Sequence, residues 1–258
     1  MSGKRRKRKK KQGRTLLTAA VCLMLAGAAL LLFPVITDWM YRNRTEGEYR
    51  DFMQWSRSDA ESDSLEQLYR ELVRRNEELY ANGQQELDDP FSYQQPEVDL
   101  SAYGLNGNII GFISIEKMGV RLPILLGASE ENMKQGAAHL TNTSYPVGGW
   151  NTNCVLAAHR GYSRTAMFRD IELLEPGDEV VIENFRETLT YEVTATKVIA
   201  PDEIQEVLIQ EGKDMVTLIT CHPYRENRQR YVVYCERKTS QISYSDICQP
   251  EEAWYIFP

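Results

Sequence analysis

An uncharged stretch, TLLTAAVCLMLAGAALLLFPVIT from Thr15 to Thr37, limits this chain most, because 23 residues without a charge have few places to go. As a helix rising 1.5 Å per residue the stretch reaches about 34 Å, enough to cross a hydrocarbon core of ~30 Å. Ala26-Gly27-Ala28 has the small-residue character of a signal-peptide cleavage site, but the apolar run continues through Leu30, Leu31, Leu32, Phe33, Val35 and Ile36. That is longer than the apolar core of a cleaved signal. We read 15–37 as an uncleaved transmembrane signal-anchor. The first 14 residues carry nine of the 30 Lys and Arg and no acid, so residues 38–258 carry 21 bases against 37 acids. A basic block ahead of a span keeps the N-terminus cytoplasmic and places the rest outside the cell. Alone, Lys4–Lys11 would suit a nucleic-acid arm; followed by a span, it argues against a nucleic-acid partner.

Organisation changes along the chain. Residues 39–60 are polar with interspersed aromatics and extend the span as a helix or stalk. The pattern predicts a helix over 64–82: Ser64 and Gln67 make a capping box, and Leu65, Leu68, Tyr69 and Leu72 form an apolar stripe. Glu66–Arg70 and Glu71–Arg75 are i,i+4 pairs, and Asn82-Gly83 is a stop. An acidic loop, 84–98, follows. From Asn108 the texture becomes short β-type runs at 109–115, 120–126, 153–159, 179–183, 188–199, 215–221 and 231–237, separated by turns such as Glu175-Pro176-Gly177-Asp178. Helical stretches are expected at 130–135 and 202–210. Many strands and few helices predict a mainly β barrel or sandwich.

The chemistry concentrates at two strand ends. His159 closes the run from Cys154, and Cys221 closes Val216–Thr220. Rigid strands meeting loops are good positions for catalytic groups. Arg230 begins the next strand and brings a permanent cation near the thiol. Outside the cell, Cys154, Cys221, Cys235 and Cys248 admit either two disulfides or a reactive thiol. Cys154, His159, Cys221 and His222 match no usual zinc spacing, so no metal is expected. His139 is expected on a loop in a structural role. No nucleotide or flavin fingerprint is present, and no cofactor is expected.

TLITC, AAHRG and Arg230, together with GFISIEKMGVRLPILLGASEENMKQGAAHLTNTSYPVGGWNTNCVLAAHRG, resemble the sortases, cysteine transpeptidases of Gram-positive cell surfaces. Within that family the chain is most similar to class C, the pilin polymerases, because Asp89-Pro90-Phe91 matches the lid tripeptide of that class. The resemblance implies a closed β-barrel with short helices at 99–240, a helical extension at 38–83, a lid at 84–98 and a tail at 241–258. It implies Cys221 as nucleophile, His159 as general acid–base and Arg230 as carbonyl or oxyanion partner, with Thr220 as candidate oxyanion or substrate support. Asp89 would approach Arg230, and Phe91 would cover Cys221. The implied partners are pilin or surface-protein substrates with an LPxTG-like sorting signal, cut between Thr and Gly and passed to a pilin Lys. The other cysteines are then expected as free or structural thiols. A sortase of another class, acting on peptidoglycan precursor, and a non-enzymatic membrane-anchored adaptor stay open as alternatives.

Overall fold

The apolar alternation that begins at Ile109 closes on itself. The computed structural model describes residues 2–57, 62–84, 98–105, 107–161, 165–224, 226 and 228–238. The strands are β1 (Ile109–Ile115), β2 (Val120–Leu126), β3 (Ala137–His139), β4 (Thr152–Ala157), β5 (Glu179–Asn184), β6 (Thr188–Ile199), β7 (Asp214–His222) and β8 (Gln229–Arg237). They form a closed barrel in the order β1-β2-β3-β4-β7-β8-β6-β5, completed by the pairing of β1 with β5. All pairs are antiparallel except β2–β3 and β4–β7. Closure removes the exposed edges that an open sheet of this composition would present. The helices are α1 (Ser2–Ser56), α2 (Ser62–Ala81) and the short α3 (Glu130–Gln135).

Alternation sorts the β4, β7 and β8 side chains into two apolar clusters. Cys154, Leu156, Val216, Leu218, Val233 and Cys235 join the barrel interior. Val155, Ala157, Ile219 and Val232 instead lie on the outer face, covered by Met133 of α3 and by Val207. Gly136 permits that cover, since a Cβ there would collide with the Pro123 carbonyl.

α1 is one helix from the basic tip through the uncharged stretch and onto the barrel. Tyr41 donates to the Gln135 carbonyl at 2.8 Å, and Tyr49 donates to Glu183 at 2.7 Å. Arg121 pairs with Glu46 at 2.8 Å while lying 4.3 Å from the centre of the Tyr49 ring. Phe52 packs on Phe112, with ring centres 5.6 Å apart. α2 buries Leu65, Leu68 and Leu72 as its stripe requires. Its Asn76 bonds both backbone groups of Tyr145, at 2.8 and 3.3 Å.

Several expectations are corrected. α2 begins at Ser62, so Ser64 lies within the helix and is no cap. β4 stops at Ala157, because its ladder with β7 ends at the Ala157–Ile219 pair; His159 therefore follows the strand and does not close it. The expected helix at 202–210 is a four-residue 3₁₀ turn, Ile204–Val207. His139 is on strand β3, not a loop; three residues are too few for alternation to announce a strand. The lid tripeptide Asp89, Pro90 and Phe91, and the tail with Cys248, lie outside the described residues.

His139 is fully enclosed. Its Nε2 lies 3.3 and 3.1 Å from the Thr143 and Ser144 carbonyls, and its ring stacks on Tyr145 at 5.0 Å. Burial outweighs those carbonyls and lowers its pKa from 6.5 to about 4. A buried neutral His is protonated more readily in the unfolded chain, so its contribution is complete above pH 6.5 and is lost as pH falls toward 4. At ~1.4 kcal/mol per pKa unit the loss is about 3 kcal/mol. Denaturant titrations of the detergent-solubilised chain at pH 7 and pH 4 are expected to show this fall, and His139→Gln to flatten it.

Candidate active site

Strand register brings the candidate residues together. β4 and β7 run parallel, with Ala157 beside Ile219, and the Ala158 amide donates to the Ile219 carbonyl at 3.2 Å. His159 and Cys221 each follow that last pair by two residues. On the other side of β7, Cys221 is the direct partner of Arg230 on β8. Directly opposed residues of an antiparallel pair share a face. Cys221 has the parity of Ile219 and Arg230 that of Val232, so both belong to the outer face. Cys221 is partly exposed and Arg230 is buried at 6%. Arg230 Nη1 donates to the Gln229 carbonyl at 3.1 Å.

Thr220 has the opposite parity. Its side chain is fully buried, and its hydroxyl donates to the Ala158 carbonyl at 2.7 Å. With its proton committed there, Thr220 supports the site by tying the end of β4 to the end of β7. The other described thiols of the barrel are different from Cys221. Cys154 and Cys235 are buried, and desolvation pushes both thiols well up from the ordinary value.

The Sortase domain family model matches residues 113–238. Sortase A of Bacillus anthracis is 35% identical over 125 residues, 48% of this chain and 58% of that protein. Sortase C1 of the GBS pilus island 1 superposes with a TM-score of 0.65 at 32% identity, covering 76% of this chain and 98% of that one. Sortase C of Clostridium perfringens SM101 superposes with a TM-score of 0.61 at 32% identity, covering 74% and 98%. The chain belongs to the sortase family. Sortases are transpeptidases, and the pilus-related sortase C structures share this sortase's closed barrel. It spans less than two thirds of the Bacillus anthracis relative but nearly all of the two sortase C chains.

Two groups around the site of this sortase escaped the sequence reading. The first is a cluster behind the strand ends. Arg160, its side chain 7% exposed, donates to His222 Nδ1 at 2.8 Å and pairs with Glu172 at 2.6 Å. Glu172 also lies 3.2 Å from His222 Nδ1. Arg160 and His222 each follow a candidate residue, and that adjacency was the available signal; on β7, successive side chains point to opposite faces.

The second group is the ion pair on α3, Lys134–Glu130 at 2.6 Å. His159 is half-buried, and its pKa is lowered first by that burial and next by the Lys134 charge; Glu130 opposes with a smaller upward push. Replacing Lys134 with Gln removes the downward push and frees Glu130 of its partner. Both changes favour the imidazolium. Lys134→Gln is therefore expected to shift the His159 titration upward, and Glu130→Gln to shift it downward, as followed by the ring-proton NMR shift of His159.

Proposed function

We propose that this sortase is a membrane-anchored cysteine transpeptidase of the pilin-polymerising kind. The observation that carries the reading is the register: Cys221 directly opposite Arg230, with His159 two residues beyond the last pair of the neighbouring parallel strand. The Cys221 Sγ, as thiolate, attacks the carbonyl carbon of the Thr–Gly bond in an LPxTG-like signal. Arg230, a permanent donor, holds the carbonyl oxygen as it gains charge. The C–N bond breaks, and His159 as imidazolium gives its proton to the departing amine, leaving a thioester on Cys221. An incoming Lys amine attacks that thioester. His159 takes the amine proton, and the thiolate leaves as the new amide forms. None of these steps calls on a cofactor.

The relatives named above as sortase C, one of them from a pilus island, support pilin subunits as both donor and acceptor. The similarity to a Sortase A supports a second reading, attachment of surface proteins to peptidoglycan precursor. The product separates the two: a ladder of linked pilins or a wall-linked monomer. The apolar helix and the basic tip support an N-terminus in the cytoplasm and a catalytic barrel outside.

The detergent-solubilised chain, incubated with sorting-signal peptides, is expected to gain the mass of the acyl fragment at Cys221. Cys221→Ala should gain none, and Arg230→Ala should form the adduct about 10²–10³ times more slowly. A full panel of peptides leaving Cys221 unmodified would overturn the reading.

Asp89, Pro90 and Phe91 enter this proposal as a lid over the thiol, by their likeness to the class C tripeptide. A lid that limits access would let an amine outcompete water at the thioester. Phe91→Ala is then expected to speed alkylation of Cys221 by a thiol reagent and to raise hydrolysis relative to transfer; an unchanged alkylation rate would remove the lid from the account.

A further inference from the structure

The end of the barrel that carries the site also meets α1 at the point where its uncharged stretch ends. Tyr41, four residues past Thr37, bonds the Gln135 carbonyl at the end of α3, the helix whose Lys134 and Glu130 act on His159. Asp38, Tyr41 and Arg42 line a cleft with Thr165, Ala166 and Met167, just after His159 in the chain. Arg169, ion-paired to Asp170 at 3.0 Å, lies within electrostatic reach of Tyr224, in the loop after Cys221, and of Asp38. Three segments of the site's rim thus lie level with the first turn of α1 beyond the span. At 1.5 Å per residue, Tyr41 is about 6 Å along the helix axis from Thr37.

Further contacts fix this relation. Glu46 with Arg121, Tyr49 with Glu183, and Phe52 with Phe112 follow one another along α1, so the barrel is held against the helix over several turns. The helix is unbroken from the span to Ser56. Trp39 and Met40 are 62% and 59% exposed immediately after the span, and Tyr224 is 47% exposed on the same end of the barrel. Trp and Tyr favour the bilayer–water interface. The opposite end of the barrel, with Trp150 exposed at 78%, is farther away by the length of β4, roughly 20 Å.

We propose that the barrel end carrying His159, Cys221 and Arg230 is apposed to a lipid bilayer surface, held there by α1. This rests on the reading of 15–37 as a span and of the three residues as the site. A freely diffusing substrate would have to enter between barrel and lipid. A chain leaving the bilayer beside α1 would emerge at the rim, level with the thiol.

The test uses the full chain in phosphatidylcholine–phosphatidylglycerol vesicles. Cys22→Ser, Cys221→Ser and Cys248→Ser provide the background, and an environment-sensitive fluorophore is placed at Tyr224→Cys or at Trp150→Cys. Lipids spin-labelled at the headgroup are expected to quench the Tyr224 position severalfold more than the Trp150 position. Inserting about a dozen Gly and Ser residues between Thr37 and Asp38, a flexible tether, should abolish the difference. In the enzyme with Cys221 intact, the same insertion should slow turnover of a membrane-inserted substrate and leave a soluble sorting peptide unaffected. Equal quenching at both positions, or a contrast that survives the insertion, overturns the proposal. Thioester formation with soluble peptide is read separately, so a failed orientation with an intact adduct would sink only this inference. A missing adduct alongside the quenching contrast would sink only the assignment of the site.

Discussion

The site depends on the register of β4, β7 and β8. A strand shifted by one residue against its neighbour moves every side chain to the other face. With such a slip, Thr220 would stand where Cys221 stands, and the thiol would point into the barrel. The parallel β4–β7 ladder and the antiparallel β7–β8 ladder fix the level of Cys221 from both sides. The apolar pattern enforces this register, because Leu218 and Val233 fit the interior while Ile219 and Val232 fit beneath α3 and Val207. Core packing and site geometry are therefore one constraint.

The same alternation builds a second layer. His222, which follows Cys221 on β7, and Arg160, which follows His159 past the end of β4, find one another, with Glu172 between them. A buried guanidinium without a partner would be costly, and Glu172 supplies the compensating charge. Thr220 adds a direct tie to Ala158. Cys154 and Cys235 show the converse. They are partners of the same residue, Val216, on either side of β7, and interior parity makes them core thiols with raised pKa. Position along one strand set thus separates a partly exposed thiol from two inert ones.

Local pattern explains what could be read beforehand. β1, β2 and β6 have the expected bounds because the first two are apolar runs and the third begins with polar–apolar alternation, and α3 is bounded by its Ser129 cap and Gly136. The candidate residues stood out because Cys221 and His159 lie at or just past the ends of β-type runs and because the surrounding motifs resemble a family. β3 was not legible: its three residues form a strand only because β2 and β4 flank them. The Arg160–Glu172–His222 cluster and the α3 ion pair are tertiary, joining residues whose separation carries no periodic signal. The long apolar helix was plain from its charge-free length, but nothing in that stretch states where the barrel rests against its continuation.

That last relation bears most on how anchor and site work together. A flexible connection would let the barrel sample many orientations above the bilayer, and the span would serve only to raise local concentration. Tyr41, Glu46, Tyr49 and Phe52 remove that freedom by committing successive turns of α1 to the barrel wall. Ordering a helix against a barrel costs conformational entropy, so the contacts must be strong enough to offset it. Buried aromatic packing and two hydrogen-bonded tyrosines along the contact are suited to that. A chain that only needed tethering could have left residues 38–56 polar and unpacked. Here the residues that face the barrel are aromatic or paired, and Tyr41 bonds the end of the helix whose Lys134 and Glu130 act on His159. With 15–37 read as an anchor, α1 would set the orientation of the barrel as well as its location.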